Sequence, residues 1–357
     1  MNCELTTLCY LQRDGKYLML HRTVKKNDVN HDRWIGVGGH FEQDESPEEC
    51  LVREVKEETG YTLTGWRFRG VVTFVSGNGV TELMCLYISD AFCGEPVPCD
   101  EGVLEWVDID RIWTLNLWPG DKIFFRLLDE DLPFFSLKLV YDGSGGLVRA
   151  ALDGRSLELF DLVDEQTGDR TGLVQERGVV HREGDPHATV HIWVVRPQAA
   201  PREQGCGWDV LLQLRARDKD SHPGCYDTSS AGHIAAGGTV TASAQRELQE
   251  ELGMVRTENE LVYLGRHFRA SEGSFHGRLF RDREWANVFV CTRPPAAGEL
   301  TLQREEVQDV LWMDLAECRK KIGDGSLRNC ISAEELDMLT DYLRRGAEGV
   351  RNDNGTF

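Results

Sequence analysis

The chain has no C-x-x-C pair and no cysteine–histidine cluster at zinc spacing, although it contains 11 cysteines. That excludes a thioredoxin-like motif and a zinc-finger reading. It leaves scattered, reduced thiols, as expected in a cytoplasm. Cys9, Cys85 and Cys291 fall in strand-like apolar runs and are expected to be small core residues. No apolar run reaches the length that crosses a membrane, and the first residues lack the basic start of a signal peptide, so no membrane partner is expected. Basic residues are scarce: 40 Lys and Arg against 60 Asp and Glu, for a net charge of -20. Such a chain is a poor binder of polymeric nucleic acid, whose phosphates require cations. It can still hold a small phosphorylated ligand if metal ions bridge the two sets of negative charge.

The 357 residues suffice for two domains. The most informative stretch is GHFEQDESPEECLVREVKEETGY, from Gly39 to Tyr61. Ser46 as N-cap, Pro47 at the first helical position and Glu49 three residues after the cap predict a helix start. Gly60 predicts its end. Leu51 and Val55 mark an inward face, and Glu54, Glu57 and Glu58 share another. Clustered carboxylates repel unless a cation sits among them, and hard divalent ions favour carboxylate and phosphate oxygens.

Around that stretch, Asp14-Gly15 predicts a hairpin between LTTLCYLQ and KYLMLHR. The loop that follows contains Lys25 and Lys26, which either are solvated or meet phosphates. Gly38 and Gly39 allow close backbone approach to a metal-phosphate site. The runs WRFRGVVTFV, TELMCLYISDAF and LEWVDID are strand-like, LNLWPGDKIFFRLLDE leads into a short helix, and FFSLKLVYDG with GLVRAALDG predicts a closing hairpin. Mixed strands and helices argue for a layered α/β (α+β) domain. The pattern restarts near residues 154–156, which places domains at 1–154 and 155–345, with a disordered tail at 346–357.

The spacing of Gly39, Glu45, Arg53-Glu54, Glu57-Glu58 and Gly60 fills every specified position of the Nudix box, and the chain resembles the Nudix hydrolases. That resemblance implies α/β/α sandwich domains, each with a mixed β-sheet, and cleavage of a nucleoside diphosphate linked to another group. It further implies magnesium, or manganese, on Glu54, Glu57 and Glu58. Glu57 or Glu101 would act as base, with Arg53 and Glu45 fixing loop to helix. The first half is similar to MutT-type pyrophosphatases that remove oxidised purine nucleotides such as 8-oxo-dGTP. There a Trp-Pro-acid stretch reads the purine, here Trp118, Pro119, Gly120 and Asp121; one usual acid is Gly120, and an Asn is Ile35. Trp118 could equally be core and Asp121 a helix cap.

A second copy of the box starts at Gly232, with Arg246, Glu247, Glu250 and Glu251 in place and Ala244, Leu248 and Leu252 as the apolar helix face. Gly238 stands where the box has its first glutamate. This half resembles the Nudix branch near isopentenyl diphosphate isomerase, which implies a role for Glu284 beside a metal and for Glu250 in catalysis. Ser229 and Ser230 occupy the place of the isomerase's reactive cysteine, and Cys225 is displaced. A serine hydroxyl is too weak an acid or base for carbon chemistry unaided, so a hydrolase, or a copy that only binds, is expected. His181, His187 and His233 are either transition-metal ligands or structural histidines. CISAEELDMLTDYLRR predicts a last helix capped by Ser332 and Glu335.

Overall fold

The computed structural model of the chain describes residues 3–24, 28–199, 207–275 and 277–353. Lys25 and Lys26 lie outside them. The chain divides into two compact units, Met1–Leu159 with Leu173–Val179, and Phe160–Gly172 with Val180–Phe357.

The first unit runs β1 (Cys3–Arg13), β2 (Lys16–Arg22), β3 (Trp34–Ile35), α1 (Pro47–Thr59), β4 (Thr62–Val75), β5 (Thr81–Cys93), β6 (Gly102–Asp108), a 3-10 turn, α2 (Pro119–Asp129), β7 (Phe135–Tyr141), β8 (Leu147–Leu152) and β9 (Arg155–Ser156). Asp14 and Gly15, both at positive φ, turn β1 into β2. The sheet is mixed: β1 runs parallel to β5 and β4 to β7, while β1–β2, β2–β6, β4–β5 and β7–β8 are antiparallel. Helix α1 begins as its sequence dictates. Ser46 accepts from the Glu49 amide, Glu49 reaches back to the Ser46 amide, and Gly60 closes the helix at φ 77°. Leu51 and Val55 then pack against Cys9, Leu11, Tyr61 and Tyr87, which fixes the carboxylate face relative to the sheet.

The chain continues through β10 (Leu159–Val163), β11 (Arg170–Glu176) and α3 (Arg177–Glu183). The second unit then contains β12 (His187–Pro197), β13 (Trp208–Arg215), β14 (Tyr226–Asp227), β15 (Ser230–His233), α4 (Val240–Leu252), β16 (Val262–Phe275), β17 (Arg278–Cys291), β18 (Val307–Asp314), α5 (Leu315–Gly323) and α6 (Ala333–Asp353). Here too the sheet is mixed, with β12 parallel to β17 and antiparallel to β13 and β15. Ala244, Leu248 and Leu252 of α4 pack on Val190, Ile192 and Leu211. Both units thus have the expected α/β character.

Two expectations change. Cys9 and Cys291 are fully buried, whereas Cys85 is only partly so. Glu335 does not reach back to Ser332: it turns inward and is completely buried, accepting from or facing His191 (2.8 Å), His267 (3.1 Å) and Trp193 (3.3 Å). Two imidazoles and an indole in the core compensate a buried carboxylate better than a solvated helix end does. Helix α6 continues to Asp353, and residues 354–357 of the tail lie outside the described residues.

Candidate functional site

The first site is assembled by packing a glycine against a carboxylate. A Cβ on Gly39 would stand 2.4 Å from Glu54 Oε1, and one on Gly38 2.1 Å from the Thr7 carbonyl oxygen. At Gly38 the clash is with backbone and leaves room for glycine alone, whereas a side chain at Gly39 would displace the Glu54 carboxylate. The Gly38 amide donates to Glu58 Oε2 at 2.8 Å. Arg53 donates to Glu45 Oε1 (2.7 Å) and Oε2 (2.9 Å), to Glu54 (2.7 Å), to Glu57 (3.3 Å) and to the His40 carbonyl (3.0 Å). Glu45 also accepts the Glu42 amide at 2.8 Å, so it ties the loop to the helix. The Arg53 hydrogen bond is the main cause that holds the Glu45 carboxyl down to about 2.

Glu54, Glu57, Glu58 and Glu101 all line one cleft of about 790 Å³. Burial first, then the charges of Glu101 and Glu54, push Glu58 up to about 8. A buried carboxyl beside other carboxyls is a donor set that a divalent cation would stabilise. Glu57 keeps 61% of its side-chain exposure and faces the open cleft. Glu101 is bound by Arg22, which also donates to Asp28 at 2.9 Å. Sequence reasoning missed Arg22; its partner lies 79 positions away, beyond any local pattern.

The far wall of the cleft holds Ile35, Phe74, Met84, Trp118 and Asp121. The Trp118 indole donates to Asn30 Oδ1 at 2.8 Å, and the Arg33 guanidinium lies 4.5 Å from its ring centre. Trp118, rather than Asp121, is the N-cap of α2. Asp121 sits in the first turn, and burial raises its carboxyl to about 8. At Gly120 a side chain would collide with Leu139 and with the Tyr141 hydroxyl, each 2.4 Å from the Cβ position. The Tyr141 hydroxyl accepts the Gly120 amide at 2.9 Å. Tyr141 therefore occupies the space that a side chain at Gly120 would enter.

The second box repeats the construction. A Cβ on Gly232 would lie 2.3 Å from Glu247 Oε1, and Glu251 Oε2 accepts the Ala231 amide at 3.1 Å. Arg246 donates to Glu247 (2.7 Å), Glu250 (2.8 Å) and the His233 carbonyl (3.0 Å). Burial, then the Glu251 charge, raise Glu247 to about 7. Glu284 groups with His187 and Asp282; the ligand atoms of these three fall within 4.8 Å of one another. The same holds for His181, His187 and His233. Imidazoles with carboxylates make a donor set suited to a transition metal. Asp282 was not singled out by sequence, yet it stands two residues before Glu284 on β17, on the same face of the strand. Behind this group, Arg269 Nε meets Glu284 at 3.0 Å and His191 Nε2 meets it at 3.6 Å. Burial opposes the charge on His191, but Glu335 outweighs it and raises the imidazole to about 9. Ser229 is fully buried between strands, donating to the Leu211 carbonyl and accepting the Val194 amide. That is a structural duty.

Among the described residues no helix is long and apolar enough to cross a membrane. The NUDIX domain model matches residues 4–128 and 185–331. Nudix hydrolase 3 of Arabidopsis thaliana is 40% identical over 168 residues, a match spanning 45% of this chain and 20% of that protein. The oxidized purine nucleoside triphosphate hydrolase of Danio rerio is 31% identical over 152 residues, 42% of this chain and 94% of that protein. A solved MutT protein from Bacillus halodurans aligns at a TM-score of 0.38 and 24% identity, covering 42% of this chain and 97% of that one. Nudix hydrolases act on small nucleotide substrates and generally use divalent metal ions. The chain belongs to the Nudix family and carries its domain twice, and that family's chemistry is hydrolysis of the pyrophosphate bond in nucleoside diphosphates linked to a further group.

Proposed function

We propose that the first unit is a magnesium-dependent nucleoside triphosphate pyrophosphatase acting on purine nucleotides, with oxidised purines such as 8-oxo-dGTP the leading substrates. The observation that carries this reading is that one cleft is lined both by the box carboxylates and by Trp118 and Asp121. The name of the Danio rerio relative agrees with it. Trp118 offers a flat face, and Asp121, protonated below about pH 8, offers a hydrogen-bond donor and an acceptor to a base edge. Glu54, Glu57 and Glu58 would hold magnesium or manganese, which when bound offsets phosphate charge and acidifies a water. Glu57 would take the proton from the attacking water, with Glu101 as the alternative base. The water oxygen joins phosphorus, the phosphoanhydride bond breaks, and the nucleoside monophosphate and pyrophosphate leave. Arg53 and Glu45 keep loop and helix aligned, and Gly38 and Gly39 let the backbone reach the carboxylates.

For the second unit we propose a second metal-binding box on Glu247, Glu250 and Glu251, with Glu250 as base, in a domain spanning 155–345 that follows the first, at 1–154, in sequence. The alternative, favoured by Gly238, is a module that binds a nucleotide or isoprenoid diphosphate without turnover. His181, His187, His233, Asp282 and Glu284 would form a separate transition-metal centre there. ADP-ribose-like compounds remain the alternative substrates.

The test is hydrolysis by the full chain, with magnesium or manganese, of a nucleotide panel that includes 8-oxo-dGTP, read as pyrophosphate released, and ADP-ribose, read as AMP and ribose 5-phosphate. Preferential hydrolysis of oxidised purine triphosphates supports the first proposal. Activity on ADP-ribose alone, or full activity in chelator, rejects it.

A further inference from the structure

The second box has glycine where the first has its loop-tying glutamate, yet its carboxylates keep the same backbone contacts. Something else must hold the loop. In the first box, Glu45 does so by accepting a loop amide, that of Glu42 at 2.8 Å, while pairing with an arginine, Arg53. In the second unit a carboxylate that accepts a loop amide and pairs with an arginine comes from a segment that precedes the matched region 185–331. Asp161 Oδ2 accepts the Gly237 amide at 2.8 Å, and pairs with Arg170 Nε at 3.2 Å. The Arg170 guanidinium also donates to the Gly238 carbonyl. Next to Asp161, Phe160 forms an isolated antiparallel bridge with Ala235, and its ring stacks on His233 at 4.5 Å and 9°. Residues 233, 235, 237 and 238 are thus all gripped by one short stretch of chain and its hairpin partner.

We propose that Asp161, assisted by Arg170, is a positioning residue that does for the second box what Glu45 does for the first. The inference rests on the reading of the second unit as a metal-binding box. Its physical route is direct. The loop that Asp161 holds begins at Gly232, whose backbone fits against the Glu247 carboxylate, and includes the His233 carbonyl that receives Arg246. A loop that drifts releases both. Asp161 contributes more than Arg170, because Arg170 keeps 52% of its side-chain exposure and Asp161 only 18%. Exposed ion pairs contribute little, whereas a half-buried carboxylate that accepts a backbone amide is a stronger contact.

The experiment is hydrogen–deuterium exchange on the full chain, with Mn2+ titrated as the probe. In D161A, amides of the 233–239 segment should exchange roughly fivefold to tenfold faster without metal. The Mn2+ concentration that half-protects the 240–252 segment should rise roughly tenfold, the usual cost of losing an orienting partner. The 39–58 segment should not change. D161N, which keeps an acceptor oxygen, should fall between. D161A/G238E, which restores a carboxylate to the loop, should recover both readings in part; its new Cβ stands 2.9 Å from the Ala235 carbonyl oxygen, a backbone atom, so the loop must shift to admit it. Unchanged exchange in D161A overturns the proposal. So does faster exchange with unaltered Mn2+ protection, which is the result of a merely structural role. If Mn2+ protects nothing in the second box of the parent protein, the metal-binding reading of that unit fails. Exchange of 233–239 and its recovery by G238E then decide the brace alone: recovery supports it and none overturns it.

Discussion

In the first box Arg53 grips Glu45 through two hydrogen bonds and keeps 21% of its side-chain exposure; in the second, Arg246 leans on Glu247 and Glu250 and keeps 41%. Both arginines nonetheless donate to the same backbone carbonyl, that of the histidine after the box glycine, at 3.0 Å. In both boxes the last glutamate accepts a backbone amide from the glycine loop, at 2.8 and 3.1 Å. Helix packing, the glycine and that amide therefore place the carboxylates. In the first box the loop glutamate steadies that arrangement; in the second, where glycine replaces it, Asp161 is the proposed brace and the geometry still stands.

The comparison breaks most sharply at the proposed bases. E57Q should lower turnover of the first unit's substrate by roughly 100-fold or more, the range for loss of a general base, with far-UV circular dichroism unchanged. E250Q should leave that rate alone. Equal losses from the two, measured as pyrophosphate release, would mean that the boxes are not separate sites. A smaller effect sharpens the contrast between the arginines. E45A gives the first box the bonding of the second, and the Mg2+ concentration for half-maximal rate should rise roughly tenfold. An unchanged metal requirement would show that Arg53 needs no loop partner.

Two predictions concern the Trp118 wall of the first unit's cleft. G120A forces a methyl against Leu139 and Tyr141 and should destabilise by about 1–3 kcal/mol, read from denaturant midpoints. The least is expected from D121N, and it lies in pH dependence. The Asp121 carboxyl is raised from 3.8 to about 8 in the folded chain, so the folded state holds a proton that the unfolded state releases. That contribution is complete below pH 4 and is lost as pH rises through 8. The melting temperature of the parent should fall between pH 6 and pH 9, and D121N should fall less. Parallel curves would show that Asp121 does not hold that proton.

The features legible in the sequence are those whose causes are local. Ser46, Pro47, Glu49 and Gly60 satisfy helix ends within a few residues of themselves, so α1 could be placed almost to the residue. Asp14-Gly15 needs only its own backbone. The glutamate triads follow from helix geometry. What escaped was decided across long separations. Arg22 finds Glu101, Asp161 finds Gly237, and Glu335 finds His191 from 144 positions away. Glu335 is the instructive failure. Its spacing from Ser332 suited a cap, but the buried imidazoles offered more than solvent could, and tertiary pairing overrode the local pattern. Tyr141 gave no signal either, since only the folded hairpin brings its hydroxyl to Gly120.

The hydrogen-only positions at Gly39 and Gly232 leave each unit one methyl away from losing its acid cluster. Any replacement there, even alanine, would push the neighbouring glutamate out of register while leaving the hydrophobic layers of the sandwich undisturbed. A hydrolase of this build could therefore keep its folded layers and yet loosen its hold on metal, and through the metal on phosphate, by one substitution.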